Sequence, residues 1–289
     1  MVTIENNFLK FSCKEQGAEL TSIFSKQTQL EYLWQAGNEW NKHAPVLFPI
    51  VGQLKNNTYI WQNKEYKLDR HGFARTMKFE VGNLQNESVE FILKSNADTL
   101  TVFPFEFVLR IIYKLINDAL VVEYTVENKN KSEMHFSIGA HPAFKVPLLD
   151  NENYGDHYLE FSEKEIAPRW LLQNGLIAEP EIFFSDSTIL PLAKKLFYDD
   201  ALVFKNLKSE TISIKNKKTN HGLHFHCKGF PYFGIWAAKD ADFICLEPWH
   251  GIADNVNHNQ QLNEKEGIIK LQSGENFACH YAIQPFAGK

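Results

Sequence analysis

A histidine stands at the end of an apolar, strand-like run in the segment "HFSIGAHPAF" (135–144). His141 follows a bend of small residues, Gly139 and Ala140, and precedes Pro142. Because a proline disfavours the α region for the residue before it, the backbone of His141 is extended and its side chain leaves in a fixed direction. An imidazole held in this way can be aimed at a ligand. The alternative is a core histidine that is hydrogen bonded to a backbone carbonyl.

A glutamate ends the apolar run of the segment "DFICLEPWHGIAD" (242–254). Period-two alternation puts Phe243, Cys245 and Glu247 on one face of the predicted strand, so an acid shares a face with core residues. Burial raises the pKa of a carboxyl group unless cations or hydrogen-bond donors compensate, which suits a general base that takes and returns protons near neutral pH. The alternative is a structural carboxylate tied to an arginine.

Two of the few arginines in the sequence flank one histidine in the segment "LDRHGFAR" (68–75). Gly72 lets the backbone come close to another group, and Arg75 could donate a planar pair of N–H groups to hydroxyl or carboxylate oxygens. The alternative is a polar loop with solvated arginines. His71 and Arg75 are therefore candidates for ligand contacts.

The segment "HGLHFHCKGFPYFGIWA" (221–237) contains alternating histidines and then a run of aromatic residues. His224 and His226 share a strand face, and imidazole is a ligand for zinc, copper or iron. The next residues, "KGF", supply no carboxylate partner, so we expect exposed histidines and no metal. The aromatic run is a better ligand wall, since Trp236 or Phe233 could stack on the apolar face of a sugar ring.

Composition and charge exclude several classes of protein. Of the 289 residues, 44% are hydrophobic and 22% are charged, which is ordinary for a globular protein with a full core. The net charge of −5 and the absence of a Lys/Arg run argue against a nucleic-acid or membrane partner. The start of the sequence lacks the features of a signal peptide, and no apolar run is long enough to span a bilayer, so we expect a cytoplasmic protein.

Cofactor and cysteine signals are also missing. The sequence has no phosphate-binding glycine loop, dinucleotide fingerprint or GxSxG nucleophile elbow, so we expect no nucleotide cofactor and no serine hydrolase. The four cysteines are scattered without close pairs and are predicted to be reduced packing residues. Proton transfer by side chains is the chemistry that remains.

The dominant period of the sequence is two, which predicts strands rather than helices. Hairpins are predicted over 105–128, with a turn at Asn117 and Asp118, over 56–69, with a turn at Gln62 and Asn63, and over 8–26, bent at Gly17. Further strands are predicted at 78–84, 88–94, 134–140, 157–162, 201–206, 210–215, 222–227, 232–238, 242–247, 267–271 and 277–284. The segments 144–157 and 168–191 are predicted to be long ordered loops. We therefore predict an all-β fold, a large antiparallel β-sandwich that forms a single domain over 1–289.

Four stretches of the sequence together resemble the aldose 1-epimerase family of galactose mutarotase-like proteins, and most closely its LacX-like branch. They are "HAPVLFPIVGQLKNNTYIWQNKEYKLDRHGFAR", "FSIGAHPAF", "GFPYFGIWA" and "FICLEPWHGIAD", in the family's order, and the resemblance covers nearly the whole chain. It implies a β-supersandwich and the interconversion of the α and β anomers of an aldose without a cofactor. The implied partner is a small-molecule sugar.

The resemblance also implies roles for individual residues. It gives Glu247 the role of general base, His141 that of general acid, and His71 that of a second active-site histidine. The stretch "FYDDALVF" resembles the one that carries a substrate-binding aspartate, which we place on Asp200, with Asp199 as the alternative.

One position departs from the family pattern. Many relatives have an arginine after the glycine of "PIVG", where this sequence has Gln53. A charged sugar contact is therefore either missing or supplied by Arg75 or Lys55. This departure motivates one alternative to a mutarotase, a non-catalytic sugar-binding protein. A hexose-phosphate 1-epimerase and a glycoside hydrolase, which usually needs a second carboxylate beside the first, are two further alternatives.

Overall fold

The computed structural model describes residues 1–287, in which short strands follow one another along the chain. The first strands are β1 (Val2–Glu5), β2 (Leu9–Cys13), β3 (Leu20–Ser25), β4 (Leu30–Glu31), β5 (Val46–Leu47), β6 (Thr58–Trp61), β7 (Lys64–Lys67), β8 (Glu80–Leu84), β9 (Ser88–Lys94), β10 (Phe107–Ile116), β11 (Ala119–Asn128), β12 (Met134–Phe136) and β13 (Ile138–Ala140). The remaining strands are β14 (Ala143–Lys145), β15 (His157–Glu165), β16 (Pro168–Gln173), β17 (Leu176–Ile182), β18 (Ser187–Pro191), β19 (Leu202–Lys205), β20 (Thr211–Asn216), β21 (His221–His226), β22 (Tyr232–Trp236), β23 (Phe243–His250), β24 (Ile269–Leu271) and β25 (Asn276–Ala287).

Helical structure is confined to short segments. Residues 1–287 contain one α-helix, α1 (Ala97–Val102), and 3₁₀ turns at Lys55–Asn57, Ala74–Thr76, Tyr154–Asp156, Lys194–Phe197 and Leu262–Glu264. Within the same residues, no helix combines the length and the apolar character that crossing a membrane would require.

Within residues 1–287, the strands form two large antiparallel sheets and three small ones. The nine-stranded sheet has the order β18, β15, β20, β21, β25, β11, β10, β9, β8. The eight-stranded sheet has the order β17, β16, β19, β22, β23, β13, β5, and β14 also pairs with β23. The small sheets are β1 to β4 in sequence order, β12 with β24, and β6 with β7.

Aromatic side chains join the two large sheets. Phe225 of β21, in the nine-stranded sheet, contacts Phe233 of β22 and Phe144 of β14 with ring centroids 6.1 and 5.9 Å away. All three side chains are buried. Complete burial of one such side chain contributes roughly 1.5–3 kcal/mol of transfer free energy. The all-β antiparallel sandwich predicted from the sequence is confirmed.

The predicted hairpins are confirmed, and each has its turn where the sequence indicates it. Asn117 and Asp118 connect β10 to β11, and Asn117 has φ of 53°. Gln62 and Asn63, with φ of 50° and 60°, connect β6 to β7. Gly17, with φ of 70°, lies between β2 and β3. Each of the other predicted runs contains a strand, and 144–157 is irregular apart from its ends and one 3₁₀ turn.

The prediction of a long loop over 168–191 is wrong, because β16, β17 and β18 occupy most of it. Most residues of β16 and β17 are at least partly exposed, so these strands show no alternation of apolar and polar residues. Pro180 is tolerated because β17 is the edge strand of its sheet. The signal that predicts this hairpin is the pair Asn174 and Gly175, whose φ values of 52° and 79° form the turn.

Asp254, in the segment after β23, ties together three other parts of the chain. Its backbone N–H donates to the carbonyl of Gln53 at 2.9 Å, and its carbonyl accepts from the N–H of Ile177 on β17 at 2.8 Å. Its carboxylate accepts from Nζ of Lys265 at 2.7 Å and from the backbone N–H of Lys55 at 2.9 Å. The side chains of Asp254 and Lys265 are each 1% exposed.

The charge of Asp254 is stabilised inside the fold. Burial by itself raises the pKa of this carboxyl, but the hydrogen bond from His258 and the charge of Lys265 lower the pKa to about 2. This carboxylate therefore stabilises the fold above its unfolded pKa, and that contribution is lost as the pH falls through about 2. Burial lowers the pKa of Lys265, so the pair as a whole contributes less than the Asp254 shift alone implies.

We expect Asp254→Asn to lower the free energy of unfolding by about 3–5 kcal/mol, because the substitution leaves the buried Lys265 ammonium without its counter-charge. Urea unfolding followed by tryptophan fluorescence measures this loss. The double variant Asp254→Asn/Lys265→Met is the matched control and should recover most of the stability. A single variant within about 0.5 kcal/mol of the unmodified protein would contradict this account.

Candidate active site

Glu247, on β23, lies opposite His141, in the short connection between β13 and β14. β23 pairs with β13, where Gly139 lies opposite Trp249, and with β14, where Ala143 lies opposite Cys245. Continuing this register through the short connection between β13 and β14 puts His141 opposite Glu247. Nε2 of His141 lies 3.3 Å from Oε2 of Glu247. The two residues that the sequence singles out are therefore in direct contact.

Burial of this pair opposes charge on both groups. Glu247 is 2% exposed and His141 is 9% exposed. Burial raises the pKa of Glu247 well above its ordinary value, and the charge of Asp200 raises it further. Burial also lowers the pKa of His141 to about 3. Both shifts favour the neutral forms, so a single proton shared by the pair favours Glu247 over His141.

His71 supplies a second imidazole in a fixed tautomer. Its Nδ1 accepts from the backbone N–H of Gly52 at 3.1 Å, which leaves Nε2 as the protonated nitrogen. Burial lowers the pKa of His71 well below its ordinary value, and the neighbouring His141 lowers it further. The ring is perpendicular to that of His141, with centroids 5.7 Å apart. His71 is therefore a neutral hydrogen-bond donor at neutral pH.

Two tryptophans fix the ring of His141. Trp40 stacks on it with centroids 5.1 Å apart, and Trp236 meets its face edge-on at 5.6 Å. Both tryptophans rest on Phe243, at 5.5 and 5.7 Å. Phe233, the other candidate for stacking on a sugar, is instead a buried core residue. Trp40 was not predicted as a site residue. The feature of the sequence that could have indicated it is a lone tryptophan in the polar segment "GNEWNKH".

One cavity of about 280 Å³ brings most of the predicted site residues together. Glu247, His141, His71, Arg75, Asp200 and Trp236 all line it, and Trp40 and Arg70 line it as well. This volume lies just below the roughly 300–1,000 Å³ typical of ligand sites, which suits a single sugar ring.

Gln53 and two alternatives considered for sugar contacts, Lys55 and Asp199, do not line the cavity. Gln53 instead accepts hydrogen bonds from the side chain of Arg70 through its Oε1. Lys55 donates from Nζ to the carbonyl of His258 at 3.1 Å, and Asp199 is exposed. Of the two candidate cations that could replace an arginine at position 53, Arg75 is therefore the one at the cavity. Arg70 is a second arginine there, and its signal in the sequence is its place directly before His71.

Asp200 carries backbone strain at the wall of the cavity. Its φ is 124°, a conformation that residues other than glycine rarely adopt. Its Oδ1 accepts from the backbone N–H of Ala201 at 2.8 Å. Strain of this kind persists where the surrounding structure enforces it, and it occurs often at binding sites.

Metal ligation fits these residues poorly. Ligand atoms of His141, Cys245 and Glu247 lie within 4.8 Å of one another. Burial raises the pKa of the Cys245 thiol well above its ordinary value, which opposes the thiolate that a metal requires. His224 and His226, which are half-buried rather than exposed as predicted, are hydrogen bonded through Nδ1 to Ser213 and Thr211 at 2.7 and 3.0 Å.

Comparison with known proteins agrees with the geometry. The family model described as aldose 1-epimerase matches residues 1–275. The plasmid and chromosomal LacX proteins of Lactococcus lactis subsp. lactis are each 35% identical over 282 residues, covering 93% of this chain and 94% of each relative.

Solved structures show the same fold. A galactose mutarotase related enzyme from Lactobacillus acidophilus is 36% identical with a TM-score of 0.95, over 99% of this chain and 97% of that one. A galactose mutarotase-like protein from Lactobacillus casei ATCC 334 is 31% identical with a TM-score of 0.91, over 99% of this chain and 100% of that one. The resemblance seen in the sequence motifs is confirmed, and this chain belongs to the aldose 1-epimerase family.

Proposed function

We propose that this protein is a cofactor-independent aldose 1-epimerase that interconverts the α and β anomers of a sugar by general acid–base ring opening. The observation that carries this proposal is the contact of 3.3 Å between His141 and Glu247 at the wall of one cavity. Membership of the family supports a sugar as the substrate and epimerisation as the reaction class.

Anomer exchange needs one base and one acid that exchange roles. Glu247, as the carboxylate, takes the proton from the C1 hydroxyl while His141, as the imidazolium, protonates the ring oxygen, so the ring opens to the aldehyde. The C1–C2 bond then rotates. On closure His141 takes the proton back from the hydroxyl, and protonated Glu247 returns one to the aldehyde oxygen as the bond forms on its other face. No atom or electron pair is gained from outside the pair and the sugar.

The pKa shifts of Glu247 and His141 favour the protonation state that the pair has when the sugar is open. The pKa shifts favour a proton on Glu247 and a neutral His141, which is also the state that accompanies the open-chain sugar. A cyclic sugar needs the proton on His141. Stacking of Trp40 on the imidazole, with centroids 5.1 Å apart, favours the imidazolium by a cation–π interaction.

The other residues at the cavity bind the sugar and stabilise charge. Neutral His71 donates from Nε2 toward the oxygen on which negative charge develops during opening, and Arg75 adds a positive charge there. Asp200 accepts from ring hydroxyls, and Trp236 offers an aromatic face to the apolar side of the ring.

We expect Glu247→Gln to reduce the rate of anomer exchange by at least about 10²–10⁴-fold, because the amide cannot accept the C1 proton. Polarimetry of a freshly dissolved α-anomer measures this rate above the buffer background. Glu210→Gln, an exposed glutamate paired with Lys228, is the matched control and should keep the full rate. Sugar binding seen by calorimetry without any acceleration by the unmodified protein would replace this proposal with that of a sugar-binding protein.

The acidic limb of the pH profile of kcat/KM should lie well below the ordinary pKa of histidine. Activity requires one proton on the pair, so it is lost below the lowered pKa of His141 and above the raised pKa of Glu247. We expect kcat/KM to hold its value as the pH falls through about 6.5, the ordinary pKa of histidine, and to decline only toward about 3. Short polarimetric assays, with fluorescence to verify that the protein is folded, test this. An acidic limb near pH 6.5 would contradict it.

A hexose-phosphate 1-epimerase is the second candidate, because two arginines, Arg70 and Arg75, line the cavity. Exchange NMR over a panel of free and phosphorylated aldoses decides between the two substrates. If a free aldose is the substrate, its kcat/KM exceeds that of its phosphorylated form. The reverse order would favour the second candidate.

A further inference from the structure

The guanidinium of Arg70 is held at the rim of the cavity by a neutral side chain. Its Nε and Nη2 donate to Oε1 of Gln53 at 3.3 and 3.1 Å. The carbonyl of Arg70 accepts from Nη2 of Arg75 at 2.7 Å. Both the backbone and the side chain of Arg70 are therefore oriented, although the residue is exposed.

A glycine at the tip of the β16–β17 hairpin closes over this guanidinium. A Cβ added to Gly175 would lie 2.1 Å from Nη2 of Arg70 and 2.6 Å from Oε1 of Gln53. Gly175 also has φ of 79°, which other residues rarely adopt. The hairpin tip thus confines the guanidinium against Gln53, and any larger residue at position 175 would displace it.

The positive charge of Arg70 is not neutralised by an ion pair within residues 1–287, in contrast to the two arginines outside the site. Arg110 pairs with Glu90 at 3.2 Å, and Arg169 pairs with Glu181 at 2.7 Å. Arg70 makes no ion pair in this range, and its Nη1 has no protein acceptor there. Since an arginine side chain has five N–H donors and Gln53 takes only part of them, donors remain for a ligand at the cavity.

The positive charge of Arg70 also affects the pKa values of the candidate catalytic residues. Alongside burial, which dominates each shift, Arg70 lowers the pKa of Glu247, of His141 and of His71. Other charged and titratable groups that face Glu247 are His141, Cys245 and Asp200. A cation positioned here belongs to the same electrostatic environment as the site.

We propose that Arg70, oriented by Gln53 and confined by Gly175, binds an exocyclic oxygen substituent of the bound sugar and so determines which aldoses the site accepts. This inference rests on the proposed function and names its specificity-determining residue. A hydroxyl and an anionic substituent both offer the oxygen acceptors that a guanidinium recognises, and the substrate panel distinguishes them.

The test is Arg70→Gln, measured over the preferred aldose, its singly deoxygenated analogues and its phosphorylated form. We expect KM and the calorimetric Kd for the preferred aldose to rise about 10–100-fold with a smaller change in kcat, because a hydrogen bond to a charged donor is lost. The penalty should disappear for the one analogue that lacks the contacted oxygen. A penalty largest for the phosphorylated form identifies an anionic substituent as the ligand of Arg70.

Two further variants separate positioning from folding. Gln53→Ala keeps Arg70 but removes its hydrogen bonds to Oε1 of Gln53. This variant should raise KM for the same substrates by a smaller factor than Arg70→Gln does. Arg110→Gln removes an arginine from β10 of the nine-stranded sheet, away from the cavity. It is the matched control and should change no kinetic constant. Thermal unfolding verifies that each variant is folded.

Failure of the proposal for Arg70 can be distinguished from failure of the proposed epimerase function. No change in KM or Kd with Arg70→Gln, or an equal penalty for every analogue, would overturn the role of Arg70. If the unmodified protein binds an aldose without accelerating anomer exchange, the epimerase proposal fails, and the Kd panel still decides the role of Arg70. A protein that neither binds nor converts any of these sugars overturns both proposals.

Discussion

The burial of Glu247 opposite His141 is the constraint on which the candidate site depends. Neither group is favoured as an ion in these surroundings, so the carboxyl pKa rises and the imidazole pKa falls. Their contact of 3.3 Å gives a proton on the pair two neighbouring positions. Desolvation opposes folding at this point in the core, and the same desolvation moves the proton affinities of both groups away from their ordinary values.

The sheet supplies the precision that this pair requires. Because His141 lies in the short connection between β13 and β14, which both pair with β23, its separation from Glu247 is set by strand pairing on either side. Trp40 and Trp236 then limit rotation of the imidazole. A residue placed in this way has little freedom to lose when a ligand binds, which is the basis of preorganised catalysis.

Loops place charged side chains around Glu247 and His141. Asp254 joins several of these segments by hydrogen bonds. Its backbone binds the segment that carries Gln53 and the hairpin strand that carries Ile177, and its buried carboxylate binds Lys265. Gln53 in turn holds Arg70 at the rim of the cavity. An amide in this position orients a guanidinium and leaves its charge available, whereas a carboxylate would neutralise it.

The sequence by itself determined the all-β class, the hairpins at Asn117, Gln62 and Gly17, and the candidates His141 and Glu247, because period-two patterns and turn residues are local signals. It did not reveal β16 and β17, which are largely exposed and so lack alternation. It also did not reveal that Trp40 and Arg70 line the cavity, or that Gln53 is hydrogen bonded to Arg70. Those facts are set by contacts between segments far apart in the chain, and only the tertiary structure decides which side chains share one cavity.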